Sequence, residues 1–195
     1  MIWGILLAAG LGRRIGTPKA LLTLGSETFH QRTVRAFRDA GLDVVVVINE
    51  GLVDLLPTPV RGESRLVNSD PDQPSGMFAS VRMGVTEAIR LGATGAILLP
   101  VDHPMVTGED VRSVAAHLRS GAAVVVATHG GRRGHPIGVN GVVMDEILND
   151  VSVTTLRDIV HRDHGRVVEA PVSLGAVVGV NTREDLDSVS KRPFR

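Results

Sequence analysis

The chain has 195 residues, 43% of them hydrophobic, with ten prolines and no cysteine, which fits one globular domain over 1–195 with a substantial core and excludes disulfides and thiolate chemistry. Acidic and basic residues balance at 21 each, so no bulk charge draws it to nucleic acid or to a membrane. One tryptophan and four phenylalanines are too few for base stacking along a strand.

Residues Ile5 to Leu22 open the chain's chemistry. The apolar run Ile5-Leu6-Leu7-Ala8-Ala9 reads as a buried strand that breaks into Gly10, Gly12 and Gly16. Glycines permit positive φ and close backbone approach, so successive amides can converge on an anion. Arg13, Arg14 and Lys19 add charge in the same stretch. Lysine occurs only at 19 and 191, against nineteen arginines. An ammonium kept at 19 suits a phosphate that changes shape during reaction. The plainer alternative is a glycine-rich turn with solvated charges.

The following segments alternate between helix and strand. Thr28 to Ala40 places Phe29, Thr33, Ala36 and Phe37 at helical spacing and ends at Gly41. Val44-Val45-Val46-Val47-Ile48 does not alternate, as in a parallel strand covered on both faces. A short helix near 51–56, a strand near 65–68 and a helix from Ser75-Gly76 to about Leu91 come next. Ala96 to Leu99 is a buried strand that delivers Asp102 at its carboxyl end, between Pro100 and Pro104. Thr107 and Asp110 form a capping box for a further helix, which leaves Asp102 free. No pair of histidines has zincin spacing, so His103, His129 and His135 read as structural or surface groups. Val124 to Ala127 is another strand, running into the glycine-rich, dibasic segment Thr128 to Pro136 and returning through Ile137 and Val139. Helices are expected over 142–148 and 153–160. Asn181-Thr182 before Glu184-Asp185 is a helix start in which Asn181 is a candidate N-cap.

Leu7-Ala8-Ala9-Gly10, Gly12, Arg14, Gly16, Pro18-Lys19 and Leu21-Leu22 together resemble the signature of MobA-like nucleotidyltransferases, which include the molybdenum cofactor cytidylyl- and guanylyltransferases. Ile15 stands where that signature has methionine. The resemblance implies a three-layer, Rossmann-like nucleotidyltransferase fold of the glycosyltransferase-A type, with a mostly parallel sheet. It implies nucleotide contacts at Leu7, Ala8, Ala9, Gly10, Gly12, Arg14 and Lys19, and base and ribose contacts at Gly76, Met77 and Ser80. Pro100-Val101-Asp102-His103-Pro104 is similar to the family's metal-binding segment, which makes Asp102 a ligand for Mg2+, with Mn2+ as an alternative. Gly131-Arg132-Arg133-Gly134-His135-Pro136 resembles an acceptor-side segment of the cytidylyl branch. There Arg132 or Arg133 would hold the acceptor's phosphate, while Gly134, His135 and Pro136 shape the pocket. Near the end this chain has Gly179 and Asn181 where that branch carries two aspartates. Asn181 matches the guanylyl and sugar-nucleotide relatives and is the second candidate metal ligand.

The expected activity is therefore transfer of a nucleoside monophosphate, from CTP first and GTP second, to a phosphorylated small molecule such as molybdopterin. Arg14, Lys19 and Asp102 would be the catalytic residues. Two rivals are weighed. A nucleotide-binding regulatory module would lack turnover, and an NAD(P)-dependent oxidoreductase would need a third glycine at another spacing. With no basic leader and no apolar run of membrane-spanning length, a cytoplasmic protein is expected.

Overall fold

The computed structural model describes residues 1–72 and 76–191, so Gln73, Pro74 and the expected helix opening at Ser75 lie outside the described residues. Its centre is a seven-stranded sheet in the order β5-β4-β1-β6-β8-β7-β9. The strands are β1 (Ile2–Leu7), β4 (Val44–Asn49), β5 (Glu63–Asn68), β6 (Gly95–Pro100), β7 (Val124–His129), β8 (Arg132–Asn140) and β9 (Val167–Pro171). Strands β5, β4, β1 and β6 run parallel, β8 pairs antiparallel with both β6 and β7, and β9 runs parallel to β7. A two-stranded hairpin of β2 (Thr23–Leu24) and β3 (Glu27–Thr28) leads into the first helix.

Successive residues of the central strands enter opposite cores, as a sheet covered on both faces requires. Leu6, Val44, Val46 and Ile48 join Phe29, Val34 and Phe37 of α1 (Phe29–Asp39) and Val111, Val114 and Leu118 of α3 (Gly108–Arg119). Ile5, Leu7, Val45 and Val47 join Phe78, Val81 and Val85 of α2 (Gly76–Arg90), Met144 of α4 (Gly141–Asn149) and Ile159 of α5 (Leu156–Arg162). Helix α6 (Arg183–Ser190) closes the described chain. Capping boxes start α1 at Thr28 with Gln31, α3 at Thr107 with Asp110, and α6 at Thr182 with Asp185. Thr182, not Asn181, is thus the last cap. The expected helix near 51–56 is a single 3-10 turn, Glu50–Leu52.

From β1 the chain crosses to β4 on one side and later returns to β6 on the other, so β1 and β6 are neighbours at the point where the winding reverses. Loops leaving their carboxyl ends diverge there, which opens a crevice. The glycine loop leaves β1 and Asp102 leaves β6.

Candidate functional site

The loop after β1 is pinned at its root and open at its crest. Ala8 N donates to Val47 O at 2.8 Å, and the buried Asn49 side chain donates from Nδ2 to Ala9 O at 2.9 Å. Gly12 has a φ of +64°, and a Cβ there would run into the Thr17 carbonyl, so only glycine fits. Gly12 O accepts from Ile15 N at 3.0 Å and from Gly16 N at 2.9 Å, while Ile15 is buried in the core below. The backbone amides of residues 10 to 14 meet no acceptor among the described residues. Arg14 is exposed and has no partner among the described residues, whereas Arg13 forms an exposed ion pair with Asp72.

Lys19, at the head of a 3-10 turn, crosses the crevice from this loop. Its Nζ donates to Asp102 Oδ2 at 3.0 Å and to Asn181 Oδ1 at 2.8 Å, joining residues far apart in the chain. Val180 N donates to Asp102 O at 2.8 Å, which docks the Gly179–Asn181 segment against the end of β6. The Asn181 and Thr182 amides donate to Asp185 Oδ2, so the backbone there is held by α6 and the Asn181 side chain is left for Lys19. The other Asp102 oxygen, Oδ1, lies 2.8 Å from His103 Nδ1. Burial works against the Asp102 charge, but the His103 contact and the Lys19 ammonium outweigh it and hold the carboxyl well below the usual range. The His103 imidazole also explains Gly179. A Cβ at 179 would lie 3.3 Å from its Cε1 and Nε2, so the ring stands beside the position where the cytidylyl branch carries an aspartate.

The residues fit a hard divalent cation in part. Asp102 Oδ2 and Asn181 Oδ1 already converge on one positive group, the Lys19 ammonium, and both are oxygen ligands of the type Mg2+ and Mn2+ take. Among the described residues no group of three or more histidine, aspartate or glutamate side chains could hold a metal by itself. Phosphate oxygens would have to complete the shell.

Between the loop, the start of α2 and the end of β6 lies a cavity of about 190 Å³. Leu7, Ala9, Gly10, Gly12, Lys19, Gly76, Met77, Ser80 and Asp102 line it, with Pro71, Pro100 and Val101, none of them a candidate contact from the sequence. Ala8 is buried behind the wall, and Arg14 stands outside it on the surface. Ser80 reaches the cavity with its hydroxyl already engaged, donating to Gly76 O at 3.1 Å and accepting from Asn68 Nδ2 at 2.9 Å. It braces the opening of α2.

Residues 4–167 match the MobA-like NTP transferase domain. The chain belongs to this family. A probable molybdenum cofactor guanylyltransferase of Opitutus terrae is 32% identical over 125 residues, covering 63% of this chain and 58% of that protein. One of Bacillus cytotoxicus is 26% identical over 134 residues, covering 67% and 63%. The chain thus spans about three fifths of the length of these curated relatives. Among solved structures, Rv0371c of Mycobacterium tuberculosis shares the fold with a TM-score of 0.82, at 24% identity over 98% of both chains. A manganese complex of Rv0371c gives 0.78, at 23% identity over 98% of this chain and 99% of that one.

Within this MobA-like domain the acceptor-side candidates separate. Arg132 and Arg133 are exposed on the β7–β8 hairpin, line neither the cavity described above nor the one beside it, and Arg133 Nε donates to Glu169 Oε1 at 2.9 Å. Gly134 lies hard against Val177, where a Cβ would come within 2.8 Å of the Val177 Cα. Ladder partners pass from Val126–Ile137 to Ala127–Gly134, so His135 and the buried Pro136 form a bulge. A bulge re-aims a side chain, and proline, lacking an N–H, suits one. His135 here packs edge-on against His103, with ring centroids 4.7 Å apart.

Proposed function

We propose that this protein transfers a guanylyl group from GTP to the phosphate of a molybdopterin-type acceptor, releasing pyrophosphate, and that it does so as one domain over 1–195. The names of the curated relatives support GTP over the CTP toward which the Gly-His-Pro segment leaned. The observation that carries the reading is the meeting of Lys19, Asp102 and Asn181 beside a loop whose amides at 10 to 14 are open.

In this mechanism the loop amides and Arg14 bind the β- and γ-phosphates, and Gly76, Met77 and Ser80 border the base and ribose. A divalent cation held by Asp102 and Asn181, Mg2+ or the Mn2+ named for the structural neighbour, would supply Lewis-acid polarisation of the α-phosphoryl group. His103 fixes Asp102 through Oδ1, which keeps Oδ2 facing the crevice. Lys19, displaced from those two oxygens by the cation, would neutralise charge that grows on the α-phosphate as an acceptor phosphate oxygen attacks in line. The bond from α-phosphorus to the bridging oxygen breaks and pyrophosphate leaves. Positioning and charge stabilisation suffice for this chemistry, with no protein nucleophile.

Pyrophosphate release from GTP, CTP, ATP and UTP with molybdopterin as acceptor tests the proposal. GTP-dependent release that requires the acceptor is expected; triphosphate binding without release would favour a regulatory module instead.

A further inference from the structure

Lys19 and Asp102 stand on different segments, and two polar bridges hold those segments at their spacing. The first is the Lys19 ammonium itself, on Asp102 and Asn181 inside the crevice. Among the described residues, no hydrogen bond or ion pair other than Lys19's runs directly between residues 10–28 and residues 101–107. The second bridge lies behind the crevice, on α1. Arg32 donates from Nε to Pro104 O at 2.9 Å and from Nη1 to Leu24 O at 3.4 Å. Each carbonyl belongs to a piece that carries a site residue. Leu22 N donates to Lys19 O at 3.1 Å and Phe29 N to Leu22 O at 2.7 Å, which joins the β2–β3 hairpin to the Lys19 turn. His103 N donates to Pro100 O at 3.2 Å and Val106 N to His103 O at 3.3 Å, which puts Pro104 in the same turn as Asp102.

We propose that Arg32 is a positioning residue, whose guanidinium spans the two segments from behind and keeps Lys19 and Asp102 at their working spacing once their direct contact opens. The inference rests on the nucleotidyltransferase reading, in which Lys19 yields Asp102 Oδ2 and Asn181 Oδ1 to a cation and turns to the α-phosphate. The bridge inside the crevice is then lost and the one behind it remains. Geometry is the first argument. A guanidinium is planar and rigid, so two carbonyls bonded to different nitrogens of one group are fixed relative to each other, which a single ammonium does not do. Placement is the second. The Arg32 side chain is 21% exposed, and Glu27, 3.5 Å from its Nη1, is already held by Arg35 through two hydrogen bonds of 2.9 and 2.8 Å. Burial pulls the Arg32 pKa below its usual value, with Glu27 opposing, so the charge sits there against a desolvation cost that its carbonyl bonds offset. Direction is the third. Ala20, Leu24, Val101, Met105 and Val106 share one core, but apolar contact is non-directional, whereas a shift of about 1 Å between reacting groups costs about a hundredfold in rate.

The alignment of the two segments can be read without turnover, as the effect of Mn2+ on nucleotide affinity. A non-hydrolysable GTP analogue is titrated calorimetrically with and without Mn2+, and bound Mn2+ is followed by its EPR signal. In Arg32→Ala, affinity with Mn2+ should fall at least fivefold while affinity without it stays within twofold, and the EPR signal of the bound ion should change. Arg32→Lys keeps the charge and loses the fork, so a smaller fall of at least twofold is expected; it carries the test if Arg32→Ala does not fold. Arg35→Ala, on the same helix and the same Glu27, should leave both affinities within twofold. A Mn2+ effect that persists undiminished in both Arg32 variants overturns the proposal while leaving the nucleotide reading intact. So does an equal loss with and without Mn2+, or the same loss in Arg35→Ala, since either reports a general structural role. Wild type that shows no Mn2+-enhanced binding of any triphosphate overturns the nucleotide reading itself, and this proposal with it.

Discussion

Two segments of this protein have nearly the same composition, and the fold leaves open backbone amides in only one of them. Gly12-Arg13-Arg14-Ile15-Gly16 and Gly131-Arg132-Arg133-Gly134 both carry two arginines among glycines at a strand end. The first leaves a parallel strand at the point where the sheet's winding reverses, and its amides at 12 to 14 meet no acceptor among the described residues. The second is an antiparallel hairpin, with Arg132 and Arg133 paired to His129 and Thr128 in the ladder. Backbone amides committed to a neighbouring strand cannot converge on an anion. In the proposed function the phosphate loop is made by unfilled backbone donors over a crevice, with arginine as a supplement.

The comparison breaks most sharply at the centre of the first region. Lys19→Ala and Asp102→Ala should each lower turnover at least a hundredfold, since one lost electrostatic contact at a reacting group costs about 3 kcal/mol. Initial-rate pyrophosphate release checks it, and near-wild-type rates in either variant would refute the role. Gly12→Ala comes next. Positive φ and the collision with Thr17 should cost about 1–3 kcal/mol of stability by chemical denaturation, with nucleotide affinity falling as the loop shifts. Gly131→Ala also meets positive φ, but no atom lies within 4 Å of its Cβ, so it should cost about 1 kcal/mol and leave nucleotide binding alone.

A third prediction concerns pH. Burial, helped by His103 and opposed by Asp102, lowers the pKa of His135 to about 3. The unfolded chain, with its histidine near 6.5, binds the extra proton between those values. Stability therefore falls as pH drops from about 6.5 toward 3, by roughly 4–5 kcal/mol from this group. His135→Gln should flatten that part of the stability–pH curve. Asp102, lowered in the folded state, acts in the same direction at more acidic pH. The arginines separate in nucleotide KM. Arg14→Ala should raise the nucleotide KM about tenfold, about 1.4 kcal/mol, while Arg132→Ala and Arg133→Ala shift it less than twofold.

The parts legible in the sequence were those written contiguously. The loop could be read because its strand, glycines and Lys19 lie within a few turns of chain, and Asp102 because a buried strand ends on it. The unalternating Val44–Ile48 run announced a covered parallel strand. Pairings made only by folding were not legible. Nothing near Asn49 says that it ties down Ala9 O, nor near Asn68 that it braces Ser80. Gly179 reads as a lost ligand until His103 is seen standing beside it. Strand β9, half exposed and only Val167 to Pro171, carries too short a pattern to declare itself, and Arg32 looks like any arginine on an amphipathic helix.

The most direct test of the site is thermal stabilisation of wild type and Asp102→Ala by GTP and CTP, each with and without Mg2+ or Mn2+. At a hundredfold excess over the dissociation constant, binding to the native state adds about 2.7 kcal/mol. The account predicts that GTP stabilises the wild type more than CTP does, that the cation enlarges the effect, and that Asp102→Ala loses the cation-dependent part. No stabilisation by any triphosphate, or a cation effect that survives intact in Asp102→Ala, would contradict it.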